Sequence, residues 1–140
     1  MAVPSGPGTE TLHSVLMEDV VNSQKRLIQG VQHHTYTLLS LNIRCIVAGG
    51  HPVYVGLYGY DSAGGASGQV INILTYTPAS AGETYVYNDK FSFFGYEPSS
   101  NTQVARAAQA GSASQYLYIQ TDNAGTSIDV VCTFIDADFS

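Results

Sequence analysis

The chain has 140 residues, 44% of them apolar and only 11% charged, and a net charge of −6 from five Lys+Arg against eleven Asp+Glu. Soluble domains usually carry about 25% charged residues, so here Tyr, Gly, Ser, Thr, Asn and Gln take the place of charge. The length suits one domain that buries its own core without a metal or disulfide. Plentiful aromatic and β-branched residues exclude a disordered chain, and the scattered cations Lys25, Arg26, Arg44, Lys90 and Arg106 offer no cationic face for nucleic acid.

Residues 1 to 10 read as an extended arm. Pro4 and Pro7 lack an N–H, and Gly6 and Gly8 cost backbone entropy, so no regular element starts there. A frayed end is the simpler alternative. The segment has neither the cationic start nor the apolar stretch of a secretory signal. No run approaches the ~20 apolar residues of a membrane helix. Synthesis in a cytoplasm and no membrane partner are therefore expected.

From Thr11 the hydrophobic period becomes two, the mark of a strand with one buried face. Thr11–Met17 reads as a first strand, broken by Glu18-Asp19, and Lys25–Gln29 as a second ending at Gly30. The longest run, Thr35–Val47, places Leu39, Leu41, Ile43, Cys45 and Val47 on one face. A turn at Gly49–Pro52 leads into Val53–Tyr60, with Val53, Val55 and Leu57 on one face and Tyr54, Tyr58 and Tyr60 on the other. Gly56 and Gly59 within this strand mark a bulge or a close backbone approach.

Asp61–Gly68 reads as a loop, Gln69–Thr77 as a strand stopped by Pro78, and Glu83–Phe94 as one bent strand or two. Gly95–Thr102 is another loop, and Val104–Ala110 is the one helix-like stretch. Tyr116–Thr121 and Ser127–Ile135 close the pattern, joined through Asp122–Gly125, which has the composition of a hairpin turn. These elements predict an all-β domain over residues 11 to 140, an antiparallel β-sandwich or jelly roll of about eight strands. Its expected core includes Leu39, Leu41, Ile43, Val53, Val55, Leu57, Val130 and Phe134.

The residues that carry chemistry elsewhere form no familiar constellation here. Cys45 and Cys132 lie in strand-like runs and read as buried thiols, with a disulfide left open by spacing alone. His33 and His34 point to opposite faces of a regular strand and so cannot easily chelate one metal. Asp136-Ala-Asp138 supplies too few oxygens for Ca²⁺. No phosphate loop, nucleophile elbow or Cys-x-x-Cys occurs. The expectation is no catalytic residue, no metal and no cofactor. The tyrosines Tyr54, Tyr58, Tyr60, Tyr85, Tyr87, Tyr116 and Tyr118 fall at even spacings within their strands, so each set lines one sheet face. Half-buried cross-strand pairing accounts for them simply. An interface or sugar-binding face is the functional alternative.

Four segments are similar to a group of small virion proteins of marine bacteriophages and cyanophages. They are Pro4-Ser-Gly-Pro-Gly-Thr-Glu-Thr-Leu12, Gly30-Val-Gln-His-His-Thr-Tyr-Thr37, Gly82-Glu-Thr-Tyr-Val-Tyr-Asn-Asp-Lys-Phe91 and Cys132-Thr-Phe-Ile-Asp-Ala-Asp-Phe-Ser140. The resemblance is modest, covers most of the length and carries over no catalytic residue. It implies a virion component without saying which. A capsid decoration or cement protein is the first expectation, a homotrimer bound to the major capsid protein or another virion protein. Its contacts would include Pro4, Pro7 and the tyrosines. A tail, baseplate or fibre component that binds a receptor glycan is the alternative within the virion. A lectin-like module is the alternative outside it.

Overall fold

The computed structural model describes residues 9–61, 66–97 and 113–138. The helix-like stretch Val104–Ala110 and most of the arm lie outside these residues. Among the described residues there are eleven strands: β1 (Thr9–Val20), β2 (Lys25–Gln29), β3 (His34–Val47), β4 (Val53–Asp61), β5 (Ala66–Tyr76), β6 (Thr84–Tyr87), β7 (Phe91–Phe94), β8 (Tyr96–Glu97), β9 (Ala113–Ser114), β10 (Tyr116–Thr121) and β11 (Ser127–Asp138).

The strands form two facing antiparallel sheets. The first has the order β1-β11-β3, with β6 and β7 one after the other along the far edge of β3, and the second has the order β2-β10-β4-β5. A small ribbon pairs β8, which lies in the stretch expected to be loop, with β9. Taking β6 and β7 as one interrupted strand, the first principal strand pairs with the last (β1 with β11). The second then pairs with the one before it (β2 with β10), the third with β6/β7, and β4 with β5. This nested antiparallel pairing, wrapped into two sheets, is the jelly roll. The fold is therefore the β-sandwich that the period-two pattern predicts.

The core lies between the sheets. Leu38, Leu41, Ile43, Val130 and Ile128 from the first sheet meet Ile28, Val53, Val55, Leu117 and Ile119 from the second, all at most 2% exposed. β11 alternates without interruption from Ile128 through Val130 and Cys132 to Phe134. β3 does not. Ser40 faces Thr133 and Leu38 faces Phe134, so Leu39 is an extra residue in the ladder, and Ile46 is a second one between Cys45 and Val47. Each bulge reverses the strand's phase. Tyr36 and Leu38 therefore point inward on one side of the first bulge, and Leu41, Ile43 and Cys45 on the other. Leu39 is thereby only half-buried and Val47 is exposed, which corrects the single-face reading of Leu39 to Val47. Leu57 is also partly buried and packs against the core from the side. Replacing Leu38 by Ala should cost about 2–5 kcal/mol of stability, and the same change at Leu39 well under half of that. Denaturant midpoints of the two variants would check the position of the bulge.

Two local expectations are also corrected. Glu18-Asp19 does not break β1. The strand runs on to Val20 through a register shift, and Asp19 takes up the strain with φ 54°, a conformation that Asp tolerates better than most residues. Its N–H donates to Asp129 Oδ1 at 2.9 Å. Asp122–Gly125 is not a hairpin turn, because β10 and β11 belong to different sheets. It is a corner between the layers. The buried Thr126 hydroxyl accepts from the N–H groups of Gly49 and His51, each at 3.2 Å, and Thr121 Oγ1 lies 2.9 Å from the Asn123 carbonyl.

Candidate interaction surfaces

Six of the seven tyrosines singled out by spacing divide between two environments. Tyr85 sits on β6 and stacks on Tyr76 of β5, ring centroids 4.5 Å apart. With Tyr87, these rings pack against the core where the sheet edges meet. Burial raises the hydroxyls of Tyr76 and Tyr87 above the usual phenol range.

Tyr58, Tyr116 and Tyr118 lie on the outer face of the second sheet, with Tyr54 on the same side of β4. Tyr58 and Tyr116 are register partners and stack with centroids 4.5 Å apart. The Arg26 guanidinium lies 4.0 Å from the centre of the Tyr116 ring, a favourable cation–π contact. Tyr116 Oη donates to Gln24 Oε1 at 3.1 Å. Tyr118 covers Gly56, where a Cβ would lie 2.6 Å from Tyr118 Oη. Gly56 also borders a bulge, since Val55 pairs with Leu74 and Gly56 with Asn72. Both expectations for that glycine hold. Tyr116 and Tyr118 are thus buried by their own neighbours, and Tyr54 and Tyr58 remain half-exposed. The Tyr60 side chain, Pro4 and Pro7 fall outside the described residues.

The outer face of the first sheet is different in kind. In cross-strand register, Leu12 lies beside Ile135, Leu16 beside Val131, Val131 beside Asn42, and Asn42 beside Val86. Leu12 is 67%, Leu16 61% and Val86 57% exposed. The neutral hydroxyls of Thr37 and Ser92 bond to each other across the same face at 2.8 Å. An antiparallel sheet with one face toward water ordinarily alternates to polar residues on that face. This face keeps large apolar ones. The strand periods were legible in sequence, but nothing in β1 alone tells which phase faces outward.

The two motifs weighed separately in the sequence, His33-His34 and Asp136-Ala-Asp138, meet at one end of the first sheet. His34 follows a tight turn in which His33 has φ 66°. The strand register sets His34 opposite Asp138 and Tyr36 opposite Asp136. His34 Nδ1 lies 2.6 Å from Asp136 Oδ1, and Nε2 lies 3.4 Å from Asp138 Oδ1. The ring bridges two carboxylates through its two nitrogens, so its lone pairs do not converge with theirs on one point. Among the described residues no group of three or more His, Cys, Asp or Glu side chains is arranged to hold a metal ion. The ring also stacks on Tyr36, whose hydroxyl accepts from the Val31 N–H at 3.0 Å. Burial, partly offset by that bond and reinforced by Asp136 and Asp138, pushes the Tyr36 hydroxyl up to about 12.

Cys45 and Cys132 are free and buried. Cys132 pairs with Leu41 and Cys45 with Ile128, so the thiols share a face but stand four residues apart along the ladder. That is about 13 Å at the usual strand rise, too far for a disulfide. Burial pushes the Cys132 thiol up to about 12 and raises Cys45 as well, with Glu83 adding to the latter. Because the thiolate is the reacting form, a thiol-titrating disulfide reagent at pH 8 should label neither cysteine in the folded protein and both after denaturation.

No protein-family model matches the chain, and no curated protein matches it. Solved structures with a similar course of the chain include a Bacillus endospore appendage, a disulfide-linked pilus, at 14% identity and TM-score 0.49, covering 96% of this chain and 93% of that one. A Clostridium thermocellum xylanase 10B structure with CBM22-1 and GH10 modules is similar at 12% identity and TM-score 0.44, covering 94% of this chain and 25% of that one. Empty Cowpea mosaic virus top-component particles give 13% identity and TM-score 0.39, covering 94% and 87%. The chain spans only about a quarter of the length of the xylanase chain. These are likenesses to a pilus subunit, a carbohydrase and a viral coat; at such identities and TM-scores they carry no function to this chain.

Proposed function

We propose that the chain is a structural subunit of a bacteriophage particle, most specifically a decoration or cement protein on the outer shell, and that it performs no catalysis. The observation that carries this reading is the exposed apolar face of the β1-β11-β3 sheet on a chain with so little charge. A large apolar patch on a folded domain marks a contact surface. A jelly roll stiffened by two facing sheets holds such a surface rigid, so little ordering cost falls on association. The four segments similar to phage virion proteins agree with it. The partners are then the major capsid protein or another virion protein, together with further copies of the chain. Half-exposed Tyr54 and Tyr58 favour a second reading, a tail or fibre component that docks a glycan.

Immunogold labelling of purified particles tests the proposal. Label over the shell supports the decoration role, and label at the tail tip moves the assignment to the second reading. Absence of the protein from particles overturns both. Deleting residues 2–8, which precede β1, asks whether the arm helps attachment. The truncated protein should fold and yet rebind depleted shells more weakly in co-sedimentation.

A further inference from the structure

We propose that the free edge of β5 takes up an extended, uncharged peptide strand, which lengthens the β2-β10-β4-β5 sheet through main-chain hydrogen bonds. The inference goes beyond the structural-subunit reading and does not depend on where the chain sits in a particle.

The two sheets have four edges, β1 and β6/β7 in the first and β2 and β5 in the second. A bare edge invites pairing with another chain, and natural β-proteins blunt it with charge, shortness or a twist. Three of the four are blunted. β1 carries Glu10, Glu18 and Asp19, and its register shifts at Asp19, which has φ 54°. β2 has five residues and begins Lys25-Arg26. β6 and β7 have four residues each and are separated by Asn88-Asp89-Lys90. β5 is different. Its eleven residues, Ala66–Tyr76, include no charged side chain and no proline. Among the described residues it pairs only with β4, and no other backbone hydrogen bond reaches it.

The exposed side chains define the shape of partner that fits. Val70 lies opposite Tyr58 and Ile71 opposite Leu57. Tyr58 faces outward and Leu57 toward the core, so Val70 and Ile71 point to opposite faces of the sheet. Both are nevertheless exposed, Val70 by 45% and Ile71 by 63%. A partner lying on either face would reach only one of them. A strand lying alongside the edge reaches both, because its own side chains alternate between the faces. It also meets the row of N–H and C=O groups on the side of β5 away from β4. Toward the other end the edge is closed, since Tyr76 stacks on Tyr85 of β6 and Leu74 packs against the core. The ladder with β4 is regular from Gln69 to Asn72, between two register shifts, so the incoming strand centres on that stretch. A charged side chain in it would lose hydration beside Val70 or Ile71, which favours an uncharged one.

Fluorescence polarisation with a labelled, end-capped peptide of the uncharged sequence Gln69–Tyr76 tests this. The wild-type chain should bind it saturably at micromolar concentration. The same peptide N-methylated at its central residues keeps every side chain but loses donors on both edges, and should bind more than about tenfold more weakly. Ile71→Lys, at a position already exposed, should keep the thermal midpoint and weaken binding by a similar factor. Val47→Lys, exposed at the end of β3, should leave binding unchanged. No saturable binding, equal binding of the N-methylated peptide, a folded Ile71→Lys variant that binds like the wild type, or an equal loss in Val47→Lys would overturn the proposal. Sedimentation velocity of the chain alone then identifies the source of the strand. A dimer that Ile71→Lys dissociates makes β5 of a second copy the occupant, and a monomer that binds the peptide assigns the strand to a different chain. Peptide binding is read on the purified chain and particle location by labelling, so failure of one leaves the other standing.

Discussion

Ile43→Asp is expected to yield no cooperatively folded protein. Ile43 is fully buried at the centre of the first sheet, between Val130 of β11 and Tyr85 of β6. The substitution removes a side chain whose truncation alone costs about 2–5 kcal/mol. It also places a carboxyl where no hydrogen-bonding partner is supplied, at a further cost of several kcal/mol even if the group stays protonated. Domains of this size are stable by about 5–15 kcal/mol, so the sum consumes most or all of the margin. Near-ultraviolet circular dichroism and the thermal transition would measure it. Ile43→Val, which keeps the shape, should lose only about 0.5–1.5 kcal/mol. A folded Ile43→Asp variant with a near-normal transition would mean that the inward face of β3 has been assigned to the wrong residues.

Gly30→Ala should be among the most damaging of the single-methyl additions. Gly30 ends β2 at a point where three backbone segments cross. Its N–H donates to the Gln115 carbonyl at 2.8 Å, Gln115 N–H donates to the Gly95 carbonyl at 2.9 Å, and Gly95 N–H donates to the His34 carbonyl at 2.9 Å. The Gln115 side chain is buried over the same crossing and donates from Nε2 to the Phe94 carbonyl at 2.9 Å. A Cβ on Gly30 would run into the carbonyls of Gly95 and Gln115. These are backbone atoms, fixed by the hydrogen bonds just named, so neither can move aside as a flexible side chain would. The loss should reach about 3 kcal/mol, a fall in thermal midpoint on the order of 10 °C. Gly50→Ala provides the contrast. Gly50 has φ 77° and nothing within 4 Å of the added Cβ, so only backbone strain of about 1 kcal/mol opposes it. Equal effects at the two positions would show that the crossing is looser than described.

Much of this molecule is local, and the local part was readable. Alternation in Val53–Tyr60 and Ser127–Ile135 depends only on which residues avoid water, and each run is a strand with Val53 and Val55, or Val130 and Phe134, inward as expected. Pro78 and Gly50, the latter with φ 77°, follow the ends of β5 and β3 for reasons internal to the backbone. The sandwich class follows from many short alternating strands.

What the sequence could not contain is the relation between strands far apart in the chain. The bulges at Leu39 and Ile46 exist because β3 must follow β11 over its whole length, and so the face of Leu39 was decided by a partner about ninety residues away. Asp122–Gly125 has hairpin composition, yet the strands it joins go to different sheets, because β10 finds its partners in β2 and β4 and β11 in β1 and β3. The meeting of His34 with Asp136 and Asp138 and the apolar outer face built from Leu12, Leu16, Val131 and Val86 have the same origin. Composition and period determined that this chain would fold as a two-sheet β-domain. Strand order and register, set by long-range packing between the sheets, decided which residues became core and which were left facing outward for another molecule.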